Sequence, residues 1–537
     1  MKNRYRFALN LIWACGLLVS PADGANPFSL TINYTGDSAY QHYFTEAEAI
    51  WERIIPSYIN GNWTGAGPFT FTGITISAKI TSMDGVGGVL GSAGWQTGHY
   101  DDAGYALAQT GAMQFDSADV GGLGFSFQTV ILHEMAHVIG LGTIWTYNAG
   151  LYTTAGQYTG AAGLAAYKTE FNQPAATYVP VELGGGAGTA GGHWNEVDGG
   201  GVNTGLVSNS NRDMRYELMT GWLDVDKPSF ISSLTRASLQ DIGYNTRSVW
   251  DTTKTSGTWG DSANWLDGLP TALDIATFPS TSPSAGVSVG LGVSPQTIDT
   301  LQFDNNASVT IHDGSLSVSN INSTSTGITK IQGVAITGKP NLTLASSSIL
   351  KFLDAAGTAS AAVTVGNVSG GGTIEGDITI EGTDAPGGSG TVGSQAFTGN
   401  LTYANGSIFE WDLGKSSVVD VDGTQFDRVS VTGNIAVGAD TIFRVVLGGA
   451  ALSDILNPAN AFWNTPYGTQ SWSMSSIFGE AFSSGWFSSV QVANYVSSYG
   501  SFSITPTNLV WTAVPEMTTL DSGLLLLLGT FRRRRGA

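Results

Sequence analysis

HEMAHVIGLGTIW, residues His133–Trp145, closes a segment with helical spacing. From Phe125 to Ile139 the apolar positions Phe127, Val130, Ile131, Met135 and Val138 recur as on one helix face, and Ser126 is a candidate cap. Residues four apart on a helix lie one above the other, so His133 and His137 point the same way and can share one metal ion through their imidazoles. Two histidines at this spacing, with a glutamate between them, are suited to a single catalytic zinc ion. Glu134 borders the same face, where it can take a proton from a metal-activated water and pass it to a leaving amine. Gly140 permits a left-handed turn that ends the helix and returns the chain toward the metal.

A catalytic zinc takes a third protein ligand. Of the six histidines, His42 and His99 lie upstream, His312 lies in a β-rich region, and His193 follows two flexible glycines in Gly191-Gly192-His193-Trp194-Asn195-Glu196. His193 is therefore one candidate, and a carboxylate from Glu170 or Glu196 is the other. Asp116 and Asp119 could join a structural calcium site, or serve only as turn carboxylates.

Further residues fall into a recognisable order. HEMAHVIGLGTIW is followed by a long insertion, by Gly-Gly-His193-Trp, by Glu217-Leu218-Met219-Thr220-Gly221, and by Thr235 through Tyr244. This order is similar to that of the leishmanolysin family of metzincins, over roughly residues 28–246. The resemblance implies a zinc metallopeptidase with ligands His133, His137 and His193, the last two separated by 56 residues (193 − 137). It implies Glu134 as the base and Met219 as the Met-turn, an apolar support beneath the metal. It also implies a short helix behind the site carrying Leu239 and Ile242. Two departures stand out. Thr143 occupies the place where many metzincins carry the third histidine, and leishmanolysin-type enzymes are usually rich in disulfides.

The regions on either side differ in texture. Residues 26–246 mix strand-like runs (Phe28 to Tyr34, Ile74 to Ile80, Ala112 to Phe115) with a helix from Thr45, a candidate cap, to Ile55, which Pro56 should end. This α+β order fits a metzincin-like catalytic domain. Residues 247–512 read as many short β-runs separated by Gly, Asn, Asp and Ser, the pattern of an all-β domain, a parallel β-helix (solenoid) or a sandwich. Trp259-Gly260 through Trp265, Leu301-Gln302-Phe303-Asp304 and Gln425-Phe426-Asp427-Arg428 resemble the β-repeats of autotransporter-type bacterial surface proteins.

The ends carry address labels. Lys2, Arg4 and Arg6 precede an apolar run to Val19, so residues 1–25 read as a signal peptide. Residues 513–537 contain Val514-Pro515-Glu516, a short apolar stretch and Arg532 to Arg535. That order resembles the PEP-CTERM sorting signal of Gram-negative bacteria, with Met517 in place of the usual second proline. It implies processing by signal peptidase and an exosortase-type enzyme, contact with the membrane only during sorting, and delivery outside the cell or to its outer surface. The one cysteine, Cys15, lies within the signal segment, so the mature chain is expected to hold no disulfide and no thiolate metal site. A net charge of −20 argues against nucleic acid as a partner. The expectation is a secreted or surface-attached zinc endopeptidase acting on extracellular proteins or peptides. The alternatives are a structural or adhesive surface protein with a vestigial zincin domain, and a zinc hydrolase of non-peptide amides.

Overall fold

The structure is a computed structural model. It describes residues 26–513 except 125, 197–201, 281–285, 422, 458, 466–467, 480–486, 488 and 495–499. The segment read as a signal peptide (1–25), all but Ala513 of the segment read as a sorting signal (513–537), and Phe125 at the expected helix start lie outside the described residues. The chain divides into two compact units, 1–247 and 248–537. It is mostly β, with one large parallel sheet. Among the described residues no helix is long and apolar enough to cross a membrane.

The first unit is built on a four-stranded sheet. In chain order its strands are β1 (Leu30–Thr35), β2 (Ile74–Thr81), β3 (Gly91–Tyr100) and β4 (Ala106–Asp116), arranged in space as β1-β2-β4-β3. The first three in space run parallel, and β3 pairs antiparallel with β4 from Gly91↔Phe115 to Tyr100↔Ala106. Among the described residues β3 is an edge, with no strand paired to its outer side. Helices α1 (Gln41–Ile54) and α2 (Ser126–Ile139) bury Phe44, Ala47, Trp51 and Ile54 of the first and Phe127, Val130 and Ile131 of the second. Period-two alternation sends Ile74, Ile76 and Ala78 of β2 into the same core. Phe127 meets Phe115 and Phe44 edge to face at 5.2 and 6.1 Å, and Trp51 Nε1 donates to the Leu132 carbonyl at 3.1 Å. These contacts hold the motif helix to the sheet and to α1.

Helix α1 starts a turn earlier than the sequence suggested. Asp37, not Thr45, caps the approach, accepting the Ala39 N–H across a short 3₁₀ turn, while Thr45 bonds back to the Gln41 carbonyl within the helix. Ser126 begins α2 as its first residue.

The second unit stacks its strands in parallel register, as a solenoid does and an antiparallel sandwich does not. β5 (Val287–Gly290), β6 (Gln296–Phe303), β7 (Val309–Ser323), β8 (Ile328–Thr337), β9 (Asn341–Leu344) and β10 (Ile349–Leu353) are successive members of the stack. Val289, Ile311, Ile331 and Phe352 form one inward column, and Leu301, Ile321, Leu342 and Val368 another. Trp250, Trp259 and Trp265 pack edge to face at one end of this core, and Trp463, Trp472 and Trp511 cluster near the C-terminal antiparallel strands. Asn320, Asn341 and Asn367 form a hydrogen-bonded ladder across successive coils.

The second column is interrupted. Asp384 follows Val368 in register and precedes Phe409, so its carboxyl is fully buried, with the Tyr403 hydroxyl donating to it at 2.6 Å. Burial pushes this carboxyl up from 3.8 to about 7. Between those values the folded chain holds a proton that the unfolded chain has released, so the contribution to stability is full below the lower value and is lost as pH rises through about 7. The buried, hydrogen-bonded Asp412 and Asp427 are raised in the same sense. Asp384→Asn should flatten the fall in melting temperature between pH 4 and pH 8, read by calorimetry. An unchanged slope would show that this carboxyl is not the source.

Candidate metal centre

His133 and His137 are brought onto one side of α2 by their spacing, and the chain after the helix brings the third imidazole. Gly140, at φ +132°, leaves the helix, and the Thr143 hydroxyl donates to the His137 carbonyl at 2.6 Å. Gly142, at φ +76°, then passes so close to the later His193 loop that a Cβ there would stand 2.1 Å from the Gly192 carbonyl oxygen. The His193 loop itself is closed by Glu182 N donating to the His193 carbonyl at 2.8 Å and Gly191 N donating to the Glu182 carbonyl at 2.7 Å. Gly142→Ala should displace this loop and weaken metal retention by about 10-fold or more, the scale seen when groups supporting a ligand are lost. Titration with a competing chelator reads it, and retention equal to the parent would show that the close approach is not needed.

The three Nε2 atoms lie 3.0 Å from one another in every pairing. Each Nδ1 meets a backbone carbonyl: His133 with Leu218 at 2.7 Å, His137 with Leu141 at 2.8 Å, and His193 with Thr189 at 2.8 Å. A carbonyl can only accept, so each Nδ1 carries the proton and each Nε2 presents a lone pair to the other two. Three lone pairs at this separation repel, and a cation among them turns the repulsion into binding. Tetrahedral zinc with bonds of about 2.0–2.1 Å needs nitrogens about 3.3 Å apart, close to what is found. Burial holds all three imidazoles below their ordinary range, His133 down to about 3 with His193 as a second cause, which keeps them neutral and available as ligands. Among the described residues this is the one group of three or more His, Cys, Asp or Glu side chains that converges closely enough for a metal ion.

Around this cluster lies a cleft of about 580 Å³. Met83 and Gly88–Ala93, which include the start of the edge strand β3, line it, as do Thr220 to Leu223. Glu134 lines the cleft and is 5 % exposed. Burial alone pushes its carboxyl up to about 8, and a nearby cation would draw it down again. Gly91 faces it: a Cβ there would lie 2.8 Å from Glu134 Oε1.

Met219 is buried in the hydrophobic core of the first unit. Its neighbour Leu218 supplies the carbonyl that orients His133, and its own carbonyl accepts Trp194 N at 2.9 Å, next to His193. The turn therefore ties two of the three imidazoles together through its backbone. Glu217, to which the sequence assigned no role, holds that turn. Its carboxylate accepts Met219 N at 2.6 Å and both Ser232 N and Ser232 Oγ, at 3.0 and 2.7 Å. Ser232 is the cap of α4 (Ser233–Asp241), where α3 is Ala161–Glu170, so one buried carboxylate joins the turn to the helix bearing Leu239.

The other candidates are placed elsewhere. Glu170 receives Ser233 N, and Glu196 accepts Trp222 N at 3.1 Å; neither belongs to the converging group. Asp116 accepts the N–H groups of Asp84, Gly85 and Ala118, and Asp119 that of Gly87, so these carboxylates organise the 83–89 loop through backbone donors. His42 packs on Tyr43 and His99 on Trp63. Comparison with protein-family models and with curated protein sequences finds no match for the chain.

Proposed function

We propose that the first unit is a zinc-dependent endopeptidase, similar in plan to the leishmanolysin-type metzincins, acting on extracellular proteins or peptides. The observation that carries this reading is the convergence of three neutral imidazole nitrogens beside a carboxylate in a cleft bordered by an unpaired strand edge. Zinc, when bound, supplies Lewis acidity that polarises a carbonyl and lowers the pKa of water to about 7.

The protein's own groups do the rest. The unpaired edge of β3 offers alternating N–H and C=O groups to an extended peptide, which can add as a further strand and run past Gly91 to Ala93 into the cleft. Gly91, lacking a side chain, lets the Glu134 carboxylate pack closely against the start of β3. Glu134 accepts the proton of the attacking water at its carboxylate and delivers it to the departing amine nitrogen. The cleft residues Thr220 to Leu223 would flank the scissile bond of a bound peptide. His133, His137 and His193 hold the metal, each fixed by its carbonyl.

The test is zinc content and casein cleavage by the purified mature protein. About one zinc per chain with cleavage that a chelator abolishes supports the reading. A zinc-loaded protein that cleaves nothing across varied proteins favours the second reading, a structural or adhesive surface protein. That alternative draws on the length of the solenoid-like unit and its aromatic-capped core. Export and surface attachment are part of the proposal and rest on the terminal segments; cell fractionation checks them.

A further inference from the structure

The second unit carries a serine, a histidine and an aspartate in a chain of hydrogen bonds, far along the sequence from the metal cluster. On β5, Val287 and Val289 point into the core, so Ser288 and Gly290 face outward; on β7, Val309 and Ile311 point inward, so His312 faces outward with them. The strands are parallel neighbours with Ser288 opposite Thr310 and Gly290 opposite His312. Ser288 Oγ lies 3.0 Å from His312 Nε2, and His312 Nδ1 lies 2.8 Å from Asp313 Oδ2.

The proton positions follow from the partners. A carboxylate can only accept, so His312 Nδ1 carries the proton and Nε2 is left as an acceptor, and Ser288 must be the donor to it. This is the order of a nucleophile, its general base and the group that orients the base. Asp313 reaches its neighbour's ring because it sits in the left-handed region at φ +54°, which aspartate tolerates better than most residues. Gly290, opposite His312, contributes no side chain, which leaves the Oγ–Nε2 pair open to small molecules.

One part of an efficient hydrolase is missing. Ser288 N–H is bonded to the Thr255 carbonyl at 2.9 Å and Leu291 N–H to the His312 carbonyl at 2.9 Å, so these nearby backbone donors are not free to hold an oxyanion. Loss of such donors costs about 10²–10³-fold in rate per donor. The site therefore suits acyl donors with good leaving groups, and its acylated form should persist.

We propose that Ser288, His312 and Asp313 form a second reactive centre, in which Ser288 is acylated by small activated esters such as aryl esters. Ser288 Oγ attacks the carbonyl carbon and its proton passes to His312 Nε2. The carbon–oxygen bond to the leaving phenoxide breaks, the phenoxide takes that proton, and an ester remains on Ser288. Water, with His312 again as base, releases the acid slowly and restores the hydroxyl.

The experiment uses the full mature chain with a fluorophosphonate probe, which serine attacks with loss of fluoride, and p-nitrophenyl acetate as the ester. Expected are labelling of Ser288, located by mass spectrometry, and a burst of about one p-nitrophenol per chain followed by slow turnover. Both should vanish in Ser288→Ala, and the labelling rate should fall by about 10²-fold or more in His312→Ala. Both side chains face outward, so melting curves of these variants should match the parent. A metal chelator and Glu134→Gln should leave the labelling unchanged, which separates this centre from the metal cluster. Absence of label on Ser288, or labelling just as fast in His312→Ala, would overturn the proposal.

Discussion

Glu134→Ala is expected to lower peptide cleavage by about 10²–10⁴-fold and to leave zinc at the parental level, since general acid–base catalysis typically contributes that much. The split between the two readouts is what the geometry demands. The three imidazoles that converge are fixed by the Leu218, Leu141 and Thr189 carbonyls, and Glu134 is no part of that scaffold. Its carboxylate instead lines the cleft next to Gly91. Removing it should therefore spare the metal and lose the proton transfer. Glu134→Gln keeps the shape and is expected to fall equally far, because an amide cannot accept the proton. Atomic absorption and a fluorogenic peptide assay on both variants are sufficient. Cleavage within a few-fold of the parent would remove Glu134 from the mechanism, whereas loss of zinc along with activity would make it a structural residue.

His193→Ala is expected to abolish both zinc binding and cleavage. Two imidazoles remain on α2, but a catalytic zinc rests on three protein ligands, and neither Glu170, which accepts Ser233 N, nor Glu196, which accepts Trp222 N, belongs to the converging group. Stability gives an independent reading. Metal bound only to the folded state raises its stability by RT ln(1 + [L]/Kd), so a chelator should lower the melting temperature of the parent's first unit. In His193→Ala the same chelator should shift nothing, because no ion is retained. A variant that keeps one zinc and full activity would assign the third ligand to a carboxylate after all.

How much of this was legible beforehand differs residue by residue. His133, Glu134 and His137 could be placed together from spacing alone, since a helix fixes the relation between positions i and i+4. Strand Ile74–Thr81 announced itself by strict alternation. Strand Gly91–Tyr100 did not: GSAGWQTGHY has no periodicity, and it is a strand because β4 offers it a ladder and the core needs little of its side chains. Helix α1 starts before Thr45 because it continues directly from the 3₁₀ turn that Asp37 caps, and Thr45 lies inside it, bonded back to the Gln41 carbonyl. In the second unit the short runs and turn residues signalled β structure. Parallel stacking was not visible in any one run, because register is a relation between coils some 20 or more residues apart, as in Ile311↔Ile331.

By itself the sequence determined the motif helix, the adjacency of two imidazoles and one carboxylate on it, the β character of the second half, and the candidates for a third ligand. Each of these depends on neighbours within a few residues, where backbone geometry leaves little freedom. Only the tertiary structure decided that His193, rather than Glu170 or Glu196, joins the other two, and that backbone carbonyls of Leu218, Leu141 and Thr189 orient all three rings. It alone set Gly142 against Gly192, Glu217 beneath the turn, Asp384 inside the solenoid column and Ser288 beside His312. The physical reason is common to all of these: they join residues far apart in the chain, or use backbone atoms that every residue carries, and neither leaves a mark in the order of side chains.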